Sequence, residues 1–435
     1  MKSPSRAAVL DCKISFWCAN AATFFVHETQ NVPGTPSDVS GDIGGCVTIA
    51  FVHYHLRPGG VTTVIRNAQR ALSPHHDVRV LADFGYHDVP ARSRREFAGD
   101  ARALAQELAG RLRGVDVLHT HNIGLGKHPR LTYAVKLLAE RGTVCVVNQV
   151  HDFPEEHRPA QLHALRYCTG RRDDVLWKNF CYYDLPNVAW ATLTTRDAER
   201  LADRGVPSKK IGVLPNPVDD EYFAQPAPSA TALREVAKRL AAFAVRRGFP
   251  YSSRRRLLLA PMKVMIRKNN AEAVELVRRL PGYQLLISLD ASSARDRAYS
   301  TRLKRMVRRA RLPVVVGFGQ ELEDPLPLFH LAHAIVTTSQ VEGFGYTFVE
   351  GWLCGKLVVG RDIPEVTRDF VAAGMDLRHL YRELDADAVG RVKRLLARPP
   401  RALIERNRAV VLGKYSLRAY ARRYAALLRR VPVRA

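Results

Sequence analysis

From Cys46 onward, short apolar runs rich in β-branched residues alternate with stretches of helical spacing. CVTIAFVHY, Cys46 to Tyr54, reads as a strand and RPGGV as a glycine turn. TTVIRNAQRAL then sets Val64, Ile65, Ala68 and Leu72 on one helical face. DVRVLADF, VDVLHTHN and TVCVVNQVHDF follow as strands, separated by helices such as Ala101 to Arg113 and Leu131 to Arg141. AWATLTT, Ala189 to Thr195, and KIGVLPNPVD, Lys210 to Asp219, close this series. Strands joined by helices in this order predict a parallel, doubly wound α/β sheet.

A helix over Ala232 to Arg247 leads into a second series, with strands RLLLAPMKV, YQLLISLD, LPVVVGFG, HAIVTTS and KLVVGRD. Within it, TRLKRMVRRAR places Leu303, Met306, Val307 and Ala310 on one helix face and basic residues elsewhere. That is the pattern of a helix covering a sheet, although the same basic face suits a peripheral contact with an anionic membrane. The last helix, Ser416 to Arg430, aligns Leu417, Tyr420, Ala421, Tyr424, Leu427 and Leu428. A chain of 435 residues exceeds what one hydrophobic core supports, so two Rossmann-like domains are expected, over 46–219 and 220–415. The first 45 residues read as a poorly ordered extension. Their apolar run Ile14 to Val26 is short and lacks a clear small-residue cleavage site, so secretion is the weaker account.

Composition narrows the chemistry only partly. There are 67 basic and 42 acidic residues, a net charge of +25, which attracts nucleotide diphosphates, acidic acceptors, anionic lipid and nucleic acid alike. No zinc-finger spacing, aromatic RNA-binding motif or basic helix-turn-helix is evident, so nucleic acid is not an expected partner. The seven cysteines are scattered without a CxxC pair or a metal-like cluster, which fits a reducing cytoplasm. No stretch is long and apolar enough to span a bilayer.

The chemistry concentrates in EGFGYTFVEGWLCGKLVV, Glu342 to Val359, where two glutamates are separated by seven residues behind a glycine turn. Gly343 and Gly345 lack Cβ atoms, so the backbone around Phe344 can turn sharply and bring N–H groups close to an anion. Thr347 to Leu353 reads as the first turns of a helix, whose unpaired amides favour a phosphate. Glu342 precedes the turn and Glu350 lies two turns along. Gly355 ends the helix before the buried strand Leu357 to Val359.

This layout resembles the nucleotide-sugar site of retaining GT-B glycosyltransferases, and the likeness to family 4 and the group 1 glycosyl transferases runs from about Val47 to the C-terminus. The resemblance implies a GT-B fold, two Rossmann-like domains facing across a cleft. The first would take the acceptor and the second the nucleotide sugar, with residues 416–435 as a helix crossing back to the first. It implies a retaining hexosyltransferase that uses a nucleotide-diphosphate sugar and a hydroxyl acceptor, without cofactor or essential metal. By resemblance Glu342, with the amides of Phe344 and Gly345, holds the donor sugar; amides near Thr347 and Phe348 hold the diphosphate, and Glu350 holds the ribose. Tyr346 replaces an aliphatic residue common in the family, which puts sugar preference in doubt.

Three further segments carry the likeness. Gly59 and Gly60 in the first turn resemble the glycine pair that approaches the donor diphosphate. In APMKVMIRKNN, Lys263 and Lys268 match the family's basic residue and the lysine five positions later, with Arg267 as the alternative if the register slips by one. Two fixed cations there stabilise the charge that grows on a departing nucleoside diphosphate. Lysine at position 263 lacks the bidentate fork of the more usual arginine. His151 and Asp152 in NQVHDFPEE follow a strand at the edge where α/β sites form. This segment, with Arg158-Pro159, is similar to a subset of these enzymes acting on small glycerate-type acceptors. His121, Asn122 and Lys127 in LHTHNIGLGKHP are candidates for the acceptor side. Transfer in such enzymes is described as front-face attack assisted by the leaving phosphate, so His151 would orient and stabilise rather than act as base. Gly317 to Gly319 reads as a loop placed to meet the nucleotide base. Epimerases and phosphorylases of the same fold are the alternative chemistry, although the pyridoxal-phosphate lysine motif of such phosphorylases is not found.

Overall fold

The computed structural model describes residues 46–57, 59–84, 93–156, 158–170 and 176–430. The N-terminal extension and Pro58 of the first glycine turn lie outside them. Six parallel strands form the first sheet: β1 (Thr48–Val52), β2 (Asp77–Leu81), β3 (Val117–His121), β4 (Cys145–Val150), β5 (Val188–Thr192) and β6 (Ile211–Val213). Their spatial order is β2-β1-β3-β4-β5-β6. The second sheet holds β7 (Arg256–Lys263), β8 (Tyr283–Leu289), β9 (Val314–Val316), β10 (Ala334–Thr337) and β11 (Leu357–Gly360), in the order β11-β10-β7-β8-β9 and again parallel.

Both orders contain a point where the winding reverses, between β1 and β3 in one sheet and between β10 and β7 in the other. Crevices open beyond the carboxyl ends of the strands at such points. The candidate residues stand there: Gly59 and Gly60 follow β1, His121 ends β3, His151 follows β4, and Lys263 ends β7. The chain therefore has the two-sheet GT-B architecture.

Buried side chains explain why the strands hold. β3, β4 and β5 are buried at every position, as expected for a sheet covered on both faces. The final helix, Leu417–Leu428, buries Leu417, Tyr420, Tyr424, Leu427 and Leu428 against Ile49, Phe51, Val117 and Val147 of the first sheet. Where the chain leaves β6 for the second sheet it runs beside the segment that returns. The Val218 amide donates to the Tyr415 carbonyl at 2.9 Å, and the Leu417 amide to Asp220 Oδ1 at 2.9 Å.

Several expectations need correction. The helix expected at Ala101 begins at Arg94, because the Ser93 hydroxyl accepts the Glu96 amide at 3.1 Å and caps it about two turns earlier. In the basic helix Ala294–Arg309, Leu303 and Val307 are buried, but Met306 is 42% exposed and Ala310 lies just past the end. Gly317 to Gly319, expected as loop, leads into a 3₁₀ turn over Phe318–Glu321 that buries the Phe318 ring. Among the described residues no helix is long and apolar enough to cross a membrane.

Candidate active site

The carboxyl edge of the first sheet is built on histidines. His119 and His121 alternate along β3 and so share a face; their rings stack with centroids 4.6 Å apart. His121 Nδ1 pairs with His151 Nε2 at 3.1 Å, and the His121 carbonyl pairs with His53 Nδ1 at 2.8 Å. His119 is held between Gln149 Oε1 at 3.2 Å and the Tyr424 hydroxyl at 3.1 Å, which ties the final helix to β3. Burial disfavours the imidazolium form throughout. It lowers His53 and His119 to about 3 and His151 to about 4, and holds His121 well below its ordinary value. At neutral pH the group is a set of uncharged rings.

Asn122, in the left-handed region at φ 58°, anchors the next layer. Its Oδ1 accepts the amides of His151 at 3.2 Å and Asp152 at 3.1 Å, and its Nδ2 donates to Asp152 Oδ2 at 3.1 Å. Arg158 approaches Asp152 at 3.0 Å. Burial pushes the Asp152 carboxyl up, but Arg158, His151 and more distantly Arg267 outweigh it, and the net direction is down.

The second sheet contributes the Ile266–Lys268 turn after β7. The Gln340 amide donates to the Arg267 carbonyl at 3.0 Å, and the Thr338 hydroxyl lies 3.1 Å from the carbonyls of Lys268 and Asn269. This clamp aims two cations at one acid: Lys268 Nζ bonds Glu342 Oε1, and Arg267 Nη1 lies 3.3 Å from Glu342 Oε2. Burial raises the Glu342 carboxyl; Lys268, then Arg267, more than compensate, so it is held below its ordinary value. Lys268 is 15% exposed and Arg267 48%, so the lysine is the better shielded of the two cations.

The two sheets meet at Gly343. A Cβ there would stand 3.1 Å from the His151 carbonyl, so the missing side chain lets the Glu342 loop close on the histidine edge. Gly345 adopts φ 86° and caps the helix Tyr346–Leu353; a Cβ on it would meet Phe348 at 2.8 Å. The Phe344 ring packs against Phe370 and Tyr415, and the Tyr346 hydroxyl donates to the Pro217 carbonyl at 3.3 Å.

Thus His121, Asn122, His151, Asp152, Lys268, Glu342 and Gly343 come together, and Arg267 joins Lys268 rather than replacing it. Other expected residues stand apart from this cluster. The Phe348 amide bonds the Gly345 carbonyl at 2.9 Å, so it is committed within the turn. Glu350 is the fifth residue of its helix, a single turn in rather than two. Lys263 ends β7 where the register against β8 shifts, outside the Glu342 ion pairs. A Cβ at Gly60 would meet nothing within 4 Å, and one at Gly59 only the Arg57 carbonyl at 3.8 Å. The protein's own packing therefore does not demand glycine at that helix start, which suits the approach of a ligand. Lys127 places its ammonium 5.5 Å from the centre of the Tyr54 ring.

Two family models match in succession: Glycosyltransferase Family 4 over residues 58–222 and Glycosyl transferases group 1 over residues 263–410. Together they take in both sheets and the cluster between them. The chain is a glycosyltransferase whose first half matches the one model and whose second half matches the other. A curated relative, mannosylglucosyl-3-phosphoglycerate synthase of Petrotoga mobilis, is 24% identical over 347 residues, 73% of this chain and 65% of the relative. This chain thus matches a little under two thirds of that relative's length. Among solved structures, a glycosyltransferase from Rickettsia africae matches with a TM-score of 0.62 at 14% identity, over 88% of this chain and 98% of that one. HepE from Anabaena, solved with UDP-glucose, matches with a TM-score of 0.61 at 13% identity, over 88% and 99%. Sucrose-phosphate synthase from Thermosynechococcus elongatus matches at 0.60 and 17% identity, over 88% and 98%. At these identities the structural matches speak for the fold.

In this glycosyltransferase the sequence reading passed over His53 and His119. The signal for His119 was present, since the alternation in LHTH places both histidines on one face of a strand.

Proposed function

We propose that this glycosyltransferase moves a hexose from a nucleotide-diphosphate sugar to an acceptor hydroxyl with retention of anomeric configuration. The observation that carries the reading is the Lys268–Glu342 pair, brought up to His151 across Gly343. Lys268, with Lys263 and the amides of the Gly59–Gly60 turn and Thr347, would hold the diphosphate. Glu342 would accept sugar hydroxyls and Glu350 the ribose diol. In the reaction the bond from the anomeric carbon to the phosphate oxygen breaks, and the acceptor oxygen bonds that carbon on the same face. The acceptor's proton passes to the departing phosphate. Charge on that phosphate grows as the bond breaks, so fixed cations lower the barrier more than they tighten the ground state.

His151 supports this division of labour. A general base works best with a pKa near the operating pH, and an imidazole lowered to about 4 is a weak one. We assign it to orienting the acceptor. Among the described residues Cys46, Cys181 and Cys354 carry free thiols, which supports placing the activity in the cytoplasm.

A thermal-shift panel of UDP-, GDP- and ADP-sugars tests the reading, because a ligand that binds only the native state raises its stability by mass action. One nucleotide series should raise the midpoint well above the others. A flat response across all three at millimolar ligand would count against it.

A further inference from the structure

Charge is spread unevenly around the second sheet. Residues 236–262 hold seven lysines and arginines and residues 297–320 hold another seven, and neither segment contains an aspartate or a glutamate. The fold brings the two segments together. The helices Ala230–Arg246 and Ala294–Arg309 end side by side: Arg308 Nε donates to the Arg247 carbonyl at 2.9 Å, and the Arg308 guanidinium lies 4.7 Å from the centre of the Phe249 ring. Arg254 and Arg255 lead into Arg256 at the start of β7, and Arg311 precedes β9. Pairing of β7 and β9 with β8 sets these strand starts on one edge. Every arginine over 246–256 and 308–311 is exposed, and among the described residues none of them forms an ion pair. Elsewhere in the domain cations are matched, as where Arg278 and Arg279 share Glu275 and Lys304 meets Asp290. A helix C-terminus favours a cation nearby, which accounts for Arg246, Arg308 and Arg309. It does not account for Arg254, Arg255 and Arg256, nor for Arg311, which holds φ 48° where the backbone favours glycine.

We propose that this amino edge of the second sheet, with the two helix ends beside it, docks on an anionic lipid surface; the proposal stands apart from the transferase reading. A row of unmatched guanidinium groups is drawn to phosphate headgroups. Exposed apolar side chains among them favour a membrane over other polyanions. Val245, 78% exposed, stands beside Arg246 at the end of one helix, and Met306 is exposed close to Arg308 on the other. Such residues gain by entering the boundary between headgroups and acyl chains. Arg255 and Arg256 also border a crevice of about 360 Å³ lined in part by Leu240, Leu257 and Leu331, so apolar surface lies directly behind the charges. Rings that would stack on nucleic-acid bases are withdrawn: Phe243 and Phe249 are buried, and Arg247 and Arg308 lie over them. The candidate active site stands at the carboxyl ends of the strands, so a contact at their amino ends anchors the protein and leaves the site free.

The test is co-sedimentation of the full chain with vesicles, either of pure phosphatidylcholine or of phosphatidylcholine mixed with an equal amount of phosphatidylglycerol. The protein should pellet with the anionic vesicles, stay in solution with the neutral ones, and come off as salt is raised. Arg254→Gln, Arg255→Gln and Arg256→Gln together should weaken vesicle binding by on the order of a hundredfold, about fivefold for each arginine at a charged membrane surface. Val245→Asp should weaken it as well, and Val245→Leu should keep it. Net charge alone is controlled by the matching triple variant Arg95→Gln, Arg102→Gln and Arg141→Gln, at exposed positions of the first domain, which should bind nearly as the parent does. All variants are compared at an unchanged unfolding midpoint. Equal losses in the two triple variants overturn the proposal, because the charge would then act without a place. Equal binding to both kinds of vesicle overturns it too, as does no binding to the anionic vesicles at low salt. Duplex DNA bound tightly by a protein that ignores those vesicles would overturn it in favour of a nucleic-acid surface.

Discussion

Position 268 is where the account is most exposed to a single substitution. Lys268 and Arg267 both reach Glu342, but the lysine is the more buried, so its charge is less screened by solvent. Lys268→Ala should lower kcat by on the order of a hundredfold or more, the usual cost of removing one preorganised stabiliser of transition-state charge, with a smaller change in donor affinity. Arg267→Ala should lose much less; the reverse ranking in steady-state kinetics would reassign the role. Glu350→Ala should weaken donor binding by about 1.5–3 kcal/mol, the worth of a hydrogen bond to a charged group, read by titration calorimetry. Much of this scale was legible, because glycines and charges at fixed spacing state a backbone need directly. The partnership of Arg267 and Lys268 was not, since it depends on the Thr338 and Gln340 clamp from the segment after β10, far off in sequence.

Among the elements, the helix Tyr346–Leu353 lies against β10 and β11 through a glycine. A Cβ on Gly351 would sit 2.5 Å from Val358 and 3.1 Å from Ile335. Helix propensity favours alanine over glycine by about 1 kcal/mol, whereas overpacking costs about 1–3 kcal/mol. Gly351→Ala should therefore destabilise despite sitting in a helix, and denaturant unfolding would show it.

The histidine edge makes a second prediction at this scale. Four imidazoles have folded pKa values below their unfolded value, so the unfolded chain binds more protons as pH falls. Their stabilisation is complete above the unfolded pKa near 6.5 and is lost as pH drops toward the folded values of about 3 to 4. Each can contribute up to about 1.4 kcal/mol per pH unit in that window. Asp197, raised to about 6 by burial, and Asp219, also raised by burial, work in the opposite direction but are two groups against four. The unfolding midpoint should fall steeply between pH 6 and 4.5, and a flat profile would contradict the buried, neutral assignment. Strand and helix positions were readable from apolar period alone. The edge's chemistry was hidden because His53, the His119–His121 pair and His151, far apart in sequence, meet only once β1, β3 and β4 are ordered side by side.

For the whole molecule, two parallel sheets joined by adjacent crossovers at Val218 and Tyr415 place the histidine edge of the first against the Lys268–Glu342 turn of the second. Alternating strand and helix signals were sufficient to expect two such sheets and the returning helix. Their approach at the site was not readable, since it rests on Gly343 fitting against the His151 carbonyl. The central claim is that the acceptor attacks from the face on which the Lys268-held diphosphate departs. The measurement that tests it most directly is the anomeric configuration of the first product, read by NMR early in the reaction from an α-linked nucleotide sugar. The account predicts an α-linked product, and a β-linked product would contradict it.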